Sequence, residues 1–277
     1  MQQTDEAQIE GGTDQVATAP VHVPEEAPDE VAPSALRDAA AELDESPAPV
    51  PVPDPGGLLF DLDGTLVDTV NIRIEAWLRT FAEIGFPAER SHVAGLIGAD
   101  GKRLAMEVAA IGGRRLSEDR AQAVDRRAGE IFSELNRDPR PLPGVVELLR
   151  ALDAAGVPWA IATSSRREQV ATSVEALSLP RPPTIVDGSH VAQAKPAPDL
   201  LLYAADQLDL PTHRCWYAGD ATWDMRAARA ASMVGVGVAT GAVTMEALRA
   251  AGARLAFPTM HELHLELTGR DVVPPPA

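Results

Sequence analysis

The segment "GLLFDLDGTLVDT" (residues 57–69) begins with an apolar run and ends in Asp68 and Thr69. It places two carboxylates, Asp61 and Asp63, at the end of the most apolar short run in the chain. A lone ionised carboxylate in apolar surroundings is costly unless another group compensates its charge. We therefore expect a buried strand whose end carries a site that compensates these two charges.

The rest of the chain after residue 57 alternates short apolar runs with longer amphipathic stretches. This alternation is typical of strands and helices in an α/β fold. The apolar runs show no polar alternation, as expected for parallel strands that are covered on both faces. The predicted fold class is therefore α/β, a doubly wound, Rossmann-like parallel sheet. The predicted strands are residues 58–62, 158–163, 184–188, 214–219, 233–238 and 253–257. The predicted helices around them are residues 145–155, 166–177, 197–208, 223–231, 244–251 and 259–267.

The connection after the first strand is far longer than one crossover helix requires. Apolar residues recur at helical spacing in "RIEAWLRTFAEIGF" (residues 73–86) and in "SEDRAQAVDRRAGEIFSEL" (residues 117–135). This pattern predicts a small α-helical cap domain, residues 71–140, inserted after the first strand. The sheet domain then comprises residues 57–70 and 141–268, and residues 269–277 form a C-terminal tail.

The N-terminal segment, residues 1–56, differs from the rest in composition. Residues 1–57 hold thirteen acidic residues and one basic residue, Arg37, and so carry most of the formal charge of −17. The segment is rich in Pro and Ala and has no aromatic residue, which predicts a disordered acidic tail. The alternative is a docking peptide for another protein, since residues 34–45 could form a short helix.

Charge and hydropathy exclude several classes of partner. An acidic chain is a poor ligand for nucleic acid or for an anionic membrane. We find no signal-peptide core, and no apolar run approaches the roughly 18 residues of a membrane-spanning helix. The sequence therefore predicts a cytoplasmic protein with neither nucleic acid nor membrane as partner, and leaves the oligomeric state open. The single cysteine, Cys215, lies in the apolar run "CWYAG" and is expected to be buried.

Polar side chains follow the predicted strands where ligands bind in open parallel sheets, at the carboxyl ends. Four carboxylates that meet there repel one another unless some are protonated or a cation is bound. Oxygen ligands favour Mg²⁺ or Ca²⁺, and a site with open positions favours Mg²⁺. One of the chain's two lysines is also placed there, which suggests a point charge that holds an anion. The residues expected to converge are Asp61, Asp63, Gly64, Thr65, Thr163, Ser164, Ser165, Lys195, Gly219, Asp220 and Asp224.

A cation, a lysine and hydroxyl groups together describe a phosphate site, and four segments resemble the motifs of one hydrolase superfamily. In chain order they are "DLDGTLVDT" (residues 61–69), "ATSS" (162–165), "KPAPD" (195–199) and "GDATWD" (219–224). The chain resembles the haloacid dehalogenase-like superfamily over residues 57–267. The resemblance is to phosphatases with a helical cap after the first strand, the group that includes phosphoglycolate phosphatase and β-phosphoglucomutase.

The resemblance implies a role for each matched residue. Asp61 would attack phosphorus and become an aspartyl phosphate, while Asp63 would serve as general acid and then as general base. Thr163 and Ser164 would bind the phosphoryl oxygens, and Lys195 would neutralise charge on the phosphoryl group and on the nucleophile. The implied activity is that of a phosphatase, a phosphoric monoester hydrolase acting on a small phosphorylated metabolite.

The resemblance also implies Mg²⁺ as the cofactor. The metal would be held by the side chains of Asp61 and Asp220 and by the backbone carbonyl of Asp63. Asp224 would bind it directly or through a water molecule. Fixed cations are needed because an anionic nucleophile must approach an anionic phosphate.

Two positions depart from the family pattern, and the second of them weakens the mutase alternative. Ala221 replaces a serine common in relatives, which removes a hydroxyl near the metal, and Arg73 replaces the histidine of the mutase-type members. An acid at Asp63 favours a phosphatase over the dehalogenase branch. The alternatives are a β-phosphoglucomutase-like phosphomutase, and a non-catalytic interaction protein that uses the acidic tail.

Other residues have two interpretations. Lys102 and Arg103, in "GLIGADGKRL" (residues 95–104), are candidate specificity residues of the cap or part of a plain helix connection. Asp68 and Thr69 are expected to cap the helix that follows the first motif.

Overall fold

The computed structural model describes residues 51–86 and 88–276. The expectations for residues 1–50, including most of the predicted tail and the docking helix, lie outside this part of the chain. The described strands are β1 (Gly57–Phe60), β2 (Trp159–Ala162), β3 (Thr184–Val186), β4 (Cys215–Gly219), β5 (Val234–Val238) and β6 (Leu255–Phe257). They form one parallel sheet in the order β3-β2-β1-β4-β5-β6. Every predicted strand overlaps an observed one, and the predicted α/β fold class is confirmed.

The described residues form ten α-helices, four of them between β1 and the helix that leads to β2. These four, called the helical insertion below, are α1 (Val70–Glu83), α2 (Arg90–Leu96), α3 (Gly101–Ile111) and α4 (Glu118–Leu135). The other six are α5 (Val145–Ala155), α6 (Arg167–Ala176), α7 (Asp199–Gln207), α8 (Thr222–Ala230), α9 (Met245–Ala251) and α10 (Met260–Gly269). Helix α2 is too short to show a clear period in the sequence, and it was not predicted.

Helices cover both faces of the sheet. Successive side chains of a strand point to opposite faces, so neighbouring residues of β1 pack against different helices. Leu58 and Phe60 belong to the apolar cluster formed with α5 and α10, whereas Leu59 belongs to the cluster formed with α7 and α8. All three are fully buried. This two-sided burial explains why the strand reads as a continuous apolar run.

The helical insertion has an apolar cluster that also contains residues of the sheet domain. Trp77 and Phe81 of α1 stack with ring centroids 5.6 Å apart. Trp223 of α8 is buried in the same cluster, and its indole N–H donates to the carbonyl of Gly95 over 3.2 Å. The insertion therefore packs beside the carboxyl ends of the strands.

The two chain segments that join the insertion to the sheet run side by side. The amide of Asp68 donates to the carbonyl of Arg140 over 2.9 Å, and the amide of Leu142 donates to the carbonyl of Leu66 over 3.0 Å. These bonds fix where the chain leaves the sheet domain and returns to it.

Single-residue expectations can also be compared with the structure. Cys215 is buried, as predicted, and burial raises the pKa of its thiol. His264 of α10 is covered because the C-terminal segment folds back over this helix. His264 Nε2 lies 2.9 Å from the carbonyl oxygen of Pro274, and its side chain is buried. Among the described helices, none has the length and apolar character needed to cross a membrane.

Candidate active site

Asp61 lies at the centre of the sheet edge because β1 pairs with β2 on one side and with β4 on the other. Its amide continues the pairing with β4 by donating to the carbonyl of Ala218 over 2.9 Å. Thr163 follows β2 and Asp220 follows β4, so parallel register brings both next to Asp61. All three side chains are buried.

Lys195 is fully buried and joins two of the carboxylates. Its Nζ lies 2.8 Å from Asp61 Oδ1 and 2.7 Å from Asp224 Oδ1. Burial by itself lowers the pKa of this ammonium, but the Asp224 and Asp61 carboxylates outweigh burial and hold the pKa above its ordinary value. Lys195 therefore remains charged. The hydroxyl of Tyr217 lies 3.1 Å from Nζ and 3.0 Å from Asp224 Oδ1.

Three carboxylates form an acidic cluster at the sheet edge, with one oxygen from each of Asp61, Asp220 and Asp224 within 4.8 Å of the others. Burial raises the pKa of Asp61 to about 7, with Lys195 opposing the shift and Asp224 and Asp63 adding to it. Burial, together with Asp224 and Asp61, holds the pKa of Asp220 well above its ordinary value. One lysine is thus too little positive charge for this cluster.

Two glycines leave the space that Asp220 occupies. A Cβ at Gly64 would lie 2.4 Å from Asp220 Oδ2, and one at Gly241 would lie 1.8 Å from the same oxygen. Gly64 also has a φ of +81°, which favours glycine. The carboxylate of Asp220 additionally accepts a 3.0 Å hydrogen bond from the hydroxyl of Thr65.

Asp63 is held by three donors that differ from those of Asp61. They are the hydroxyls of Thr69 and Ser165, each at 2.6 Å, and Nη2 of Arg73 at 2.7 Å. Burial raises the pKa of Asp63, but the Arg73 guanidinium and the two hydroxyls outweigh burial and leave the pKa below its ordinary value. Thr69 precedes α1 without a capping hydrogen bond from its side chain, so the expectation that it caps the helix is wrong.

Arg73 reaches this site from helix α1 of the insertion. Its Nη1 donates to Gln169 Oε1 over 2.8 Å, and its guanidinium carbon lies 3.5 Å from the centre of the Phe132 ring. The sequence marked Arg73 only as a departure from the mutase pattern. Its contact with Asp63 became visible only in the structure, because Arg73 lies one helical turn beyond the motif and its side chain folds back to it.

Thr163, Ser164 and Lys195 are brought together with the loop between α2 and α3. The hydroxyl of Thr163 accepts from the amide of Ser165 over 3.2 Å. The hydroxyl of Ser164 donates to the carbonyl of Gly98 over 3.4 Å. The carbonyl of Lys195 accepts from the amide of Asp100 over 3.0 Å. The insertion therefore contacts two of the predicted phosphate-binding segments directly.

Lys102 and Arg103, the candidate specificity residues, lie at the start of α3. Nζ of Lys102 is 3.3 Å from a carboxylate oxygen of Glu118, and Arg103 pairs with Glu107 at 3.0 Å. The structure places neither side chain among the residues that line the cavity at Asp61.

A cavity of about 60 Å³ separates the strand ends from the insertion. From the sheet side it is lined by Asp61, Asp63, Thr163, Ser164, Ser165, Gln169 and Lys195. Of the predicted site residues, Asp220 and Asp224 lie behind this group, at the acidic cluster. The predicted phosphate-binding side chains thus face one enclosed space next to the most central carboxylate.

Comparison with known proteins identifies the family that carries this arrangement. A family model described as haloacid dehalogenase-like hydrolase matches residues 58–238. This chain belongs to the haloacid dehalogenase-like hydrolases. The resemblance predicted from the four motifs is confirmed.

The hydrolase is similar to proteins named as phosphatases. It is 30% identical over 211 residues to the probable phosphatase IndB of Dickeya dadantii, covering 74% of this chain and 90% of that protein. It is 32% identical over 165 residues to hexitol phosphatase A of Escherichia coli, covering 60% and 74% of the two chains. A crystal structure of a hydrolase from Pseudomonas syringae is 31% identical with a TM-score of 0.72, covering 76% of this chain and 97% of that one. The predicted class of enzyme, a phosphoric monoester hydrolase, is confirmed.

Proposed function

We propose that this hydrolase is a Mg²⁺-dependent phosphatase that acts through an aspartyl phosphate on Asp61. The observation that supports it best is the position of Asp61, a buried carboxylate at the centre of the sheet edge. It contacts Lys195 at 2.8 Å and lines a cavity shared with Thr163 and Ser164. A buried nucleophile beside a fixed ammonium is what attack on an anionic phosphate ester requires.

The reaction divides into two transfers. In the first, a carboxylate oxygen of Asp61 attacks phosphorus and the bond between phosphorus and the ester oxygen breaks. Asp63 gives a proton to the leaving oxygen, so it must bind a proton before this step although Arg73 and the two hydroxyls favour its charged form. In the second, Asp63 takes a proton from water, whose oxygen attacks phosphorus. The bond to Asp61 then breaks and inorganic phosphate is released. Asp63 ends in the protonation state in which it began.

Three residues bind the phosphoryl oxygens in this proposal. The hydroxyls of Thr163 and Ser164 donate to them, and Lys195 offsets their negative charge together with that of Asp61. The ammonium is fixed by Asp224 at 2.7 Å and by the hydroxyl of Tyr217 at 3.1 Å. A donor held in place before the substrate binds costs no reorganisation during the reaction.

The donor set fits Mg²⁺. The site combines four carboxylates with two cations, Lys195 and Arg73, and so has an excess of negative charge that a divalent cation would neutralise. Asp61 and Asp220 would supply side-chain oxygens and Asp63 its backbone carbonyl. When bound, Mg²⁺ would polarise the phosphoryl group and reduce its repulsion of the nucleophile.

Asp224 is better suited to hold Lys195 than to bind the metal directly. Its Oδ1 accepts from Lys195 and from Tyr217, and its Oδ2 accepts from the amide of Ala221 over 2.9 Å. Both oxygens already have hydrogen-bond donors, so we propose that Asp224 contacts the metal through water.

The test is release of phosphate from p-nitrophenyl phosphate. We expect hydrolysis by the wild type with Mg²⁺, and loss of activity with EDTA or in Asp61→Asn. The matched control is Asp68→Asn, which removes an exposed carboxylate of the same motif and is expected to keep full activity. Full activity in Asp61→Asn, or in wild type with EDTA, would contradict the mechanism.

Phosphate transfer to a sugar rather than to water would make this hydrolase a phosphomutase. The two activities differ in their products when the protein is incubated with β-glucose 1-phosphate. Free phosphate supports the phosphatase, whereas glucose 6-phosphate without free phosphate would favour the mutase.

A further inference from the structure

A second cavity adjoins the one at Asp61. Its volume is about 150 Å³, and four residues line both cavities, namely Gly101 and Asp125 of the insertion and Ser164 and Gln169 of the sheet domain. At ~30 Å³ for each molecule of liquid water, it has room for about five waters. The alcohol part of a phosphate ester held at Asp61 would extend into this space.

The shared residues offer unused hydrogen-bonding groups to that alcohol. Asp125 is largely buried, and its Oδ2 accepts from Arg166 over 2.8 Å, while its Oδ1 accepts no hydrogen bond from any described residue. Gln169 uses its Oε1 to accept from Arg73, and its amide NH₂ donates to no described residue. The cavity thus provides an acceptor at Asp125 and a donor at Gln169 for that alcohol.

Two glycines of the insertion make room for these groups. A Cβ at Gly101 would lie 1.8 Å from Asp125 Oδ1, and a Cβ at Gly129 would lie 2.0 Å from Gln169 Nε2. The unused atoms of Asp125 and Gln169 therefore lie in space that only a missing side chain leaves open.

The cations at the two cavities are already paired with carboxylates. Arg166 pairs with Asp125 at 2.8 Å, Arg73 with Asp63 at 2.7 Å, and Lys102 with a glutamate at 3.3 Å. The described residues that line the two cavities thus hold no unpaired cation for a second anionic group, since Lys195 also pairs with Asp61 and Asp224. A carboxylate in the alcohol part would instead face Asp125.

We infer that the second cavity, through Asp125 and Gln169, selects the phosphate ester of an uncharged, hydroxyl-rich alcohol, a sugar or polyol, over that of a hydroxy acid. The inference rests on the proposed function, because it names the substrate class of the same site. A polyol donates to Asp125 and accepts from Gln169, which pairs every unused group. A site built to hydrogen-bond hydroxyl groups rejects analogues that leave its polar groups unpaired.

The experiment compares kcat/KM of the full chain with Mg²⁺ for glucitol 6-phosphate and for 2-phosphoglycolate. We expect kcat/KM of the wild type to be about tenfold or more higher for glucitol 6-phosphate. The reason is that 2-phosphoglycolate lacks a hydroxyl that could donate to the Asp125 carboxylate, and so loses one hydrogen bond to a charged group. In Asp125→Asn the preference should fall by about tenfold, since Arg166 is then free to bind the carboxylate. In Arg166→Gln the preference should stay or increase, because Asp125 is then unpaired.

The matched control is Glu83→Gln, which removes an exposed carboxylate that pairs with Arg127 on the same insertion, and it should leave the preference unchanged. The ratio of the kcat/KM values for the two substrates does not change when part of the protein fails to fold. If Asp125→Asn does not fold, Arg166→Gln decides the test, and a fall in its preference for glucitol 6-phosphate overturns the inference. The inference is overturned if the wild type prefers 2-phosphoglycolate, or if Asp125→Asn lowers kcat/KM for both substrates by the same factor. A failure of the proposed function gives a different result. In that case the full chain does not hydrolyse p-nitrophenyl phosphate, or Asp61→Asn keeps full activity.

Discussion

The substitution Asp61→Asn should stabilise the metal-free protein while abolishing its activity. Asp61 is 2% exposed, and burial raises the pKa of its carboxyl from 3.8 to about 7. An acid whose pKa is higher in the folded state binds more protons when folded, so the free energy of unfolding falls as pH rises. The loss occurs between pH 3.8 and about 7.

The shift sets the expected magnitude. At about 1.36 kcal/mol for each pKa unit, the buried carboxylate costs up to about 4 kcal/mol above pH 7. Asparagine avoids this cost and still accepts from Lys195 Nζ, which retains Asp224 at 2.7 Å as its charged partner. The lost attraction between Asp61 and Lys195 offsets part of the gain. We expect Asp61→Asn to raise the free energy of unfolding by about 2 kcal/mol at pH 8 in EDTA.

The assay is urea unfolding of wild type and variant from pH 5 to pH 8, with EDTA and again with Mg²⁺. Without metal, the advantage of Asp61→Asn should grow with pH; with Mg²⁺ it should shrink or reverse, because Asp61 is then a ligand. Asp138→Asn, which removes an exposed carboxylate, is the control and should change stability little. If Asp61→Asn is less stable than wild type at pH 8 in EDTA, or if the two pH profiles are parallel, the electrostatic reasoning is refuted.

Three further outcomes are expected from the same geometry. Lys195→Met should lower the free energy of unfolding at neutral pH by about 3 kcal/mol in urea titrations, because two buried carboxylates lose their shared cation. Gly241→Ala should raise the Mg²⁺ concentration needed for half-maximal activity, since its Cβ would displace Asp220, whereas Gly95→Ala, with nothing within 4 Å, should not. Adding Mg²⁺ should raise the midpoint of thermal unfolding of wild type, and Asp220→Asn should reduce that shift, in scans at fixed protein concentration.

Much of the fold could be predicted because parallel strands that are buried on both faces are continuous apolar runs in the sequence. The bounds of helix α5 also agree with the prediction. The positions of two carboxylates could also be predicted, because Asp61 and Asp220 come directly after parallel strands that pair with each other. Helix α2 was missed because its seven residues, about two turns, are too few to show a period.

Which residues meet at the sheet edge follows from the sequence, because the carboxyl ends of parallel strands lie together. How those residues pair with one another depends on tertiary packing. Tyr217 reads as a core strand residue, yet its hydroxyl contacts Lys195 and Asp224. Asp125 reads as one charge among many on a helix, yet it lines both cavities. The contacts of Tyr217 depend on how the loop at Lys195 and helix α8 pack against β4, and Asp125 lines the cavities because the insertion packs against the sheet. Residues joined by such packing have no fixed spacing along the chain, so no periodic pattern in the sequence reveals them.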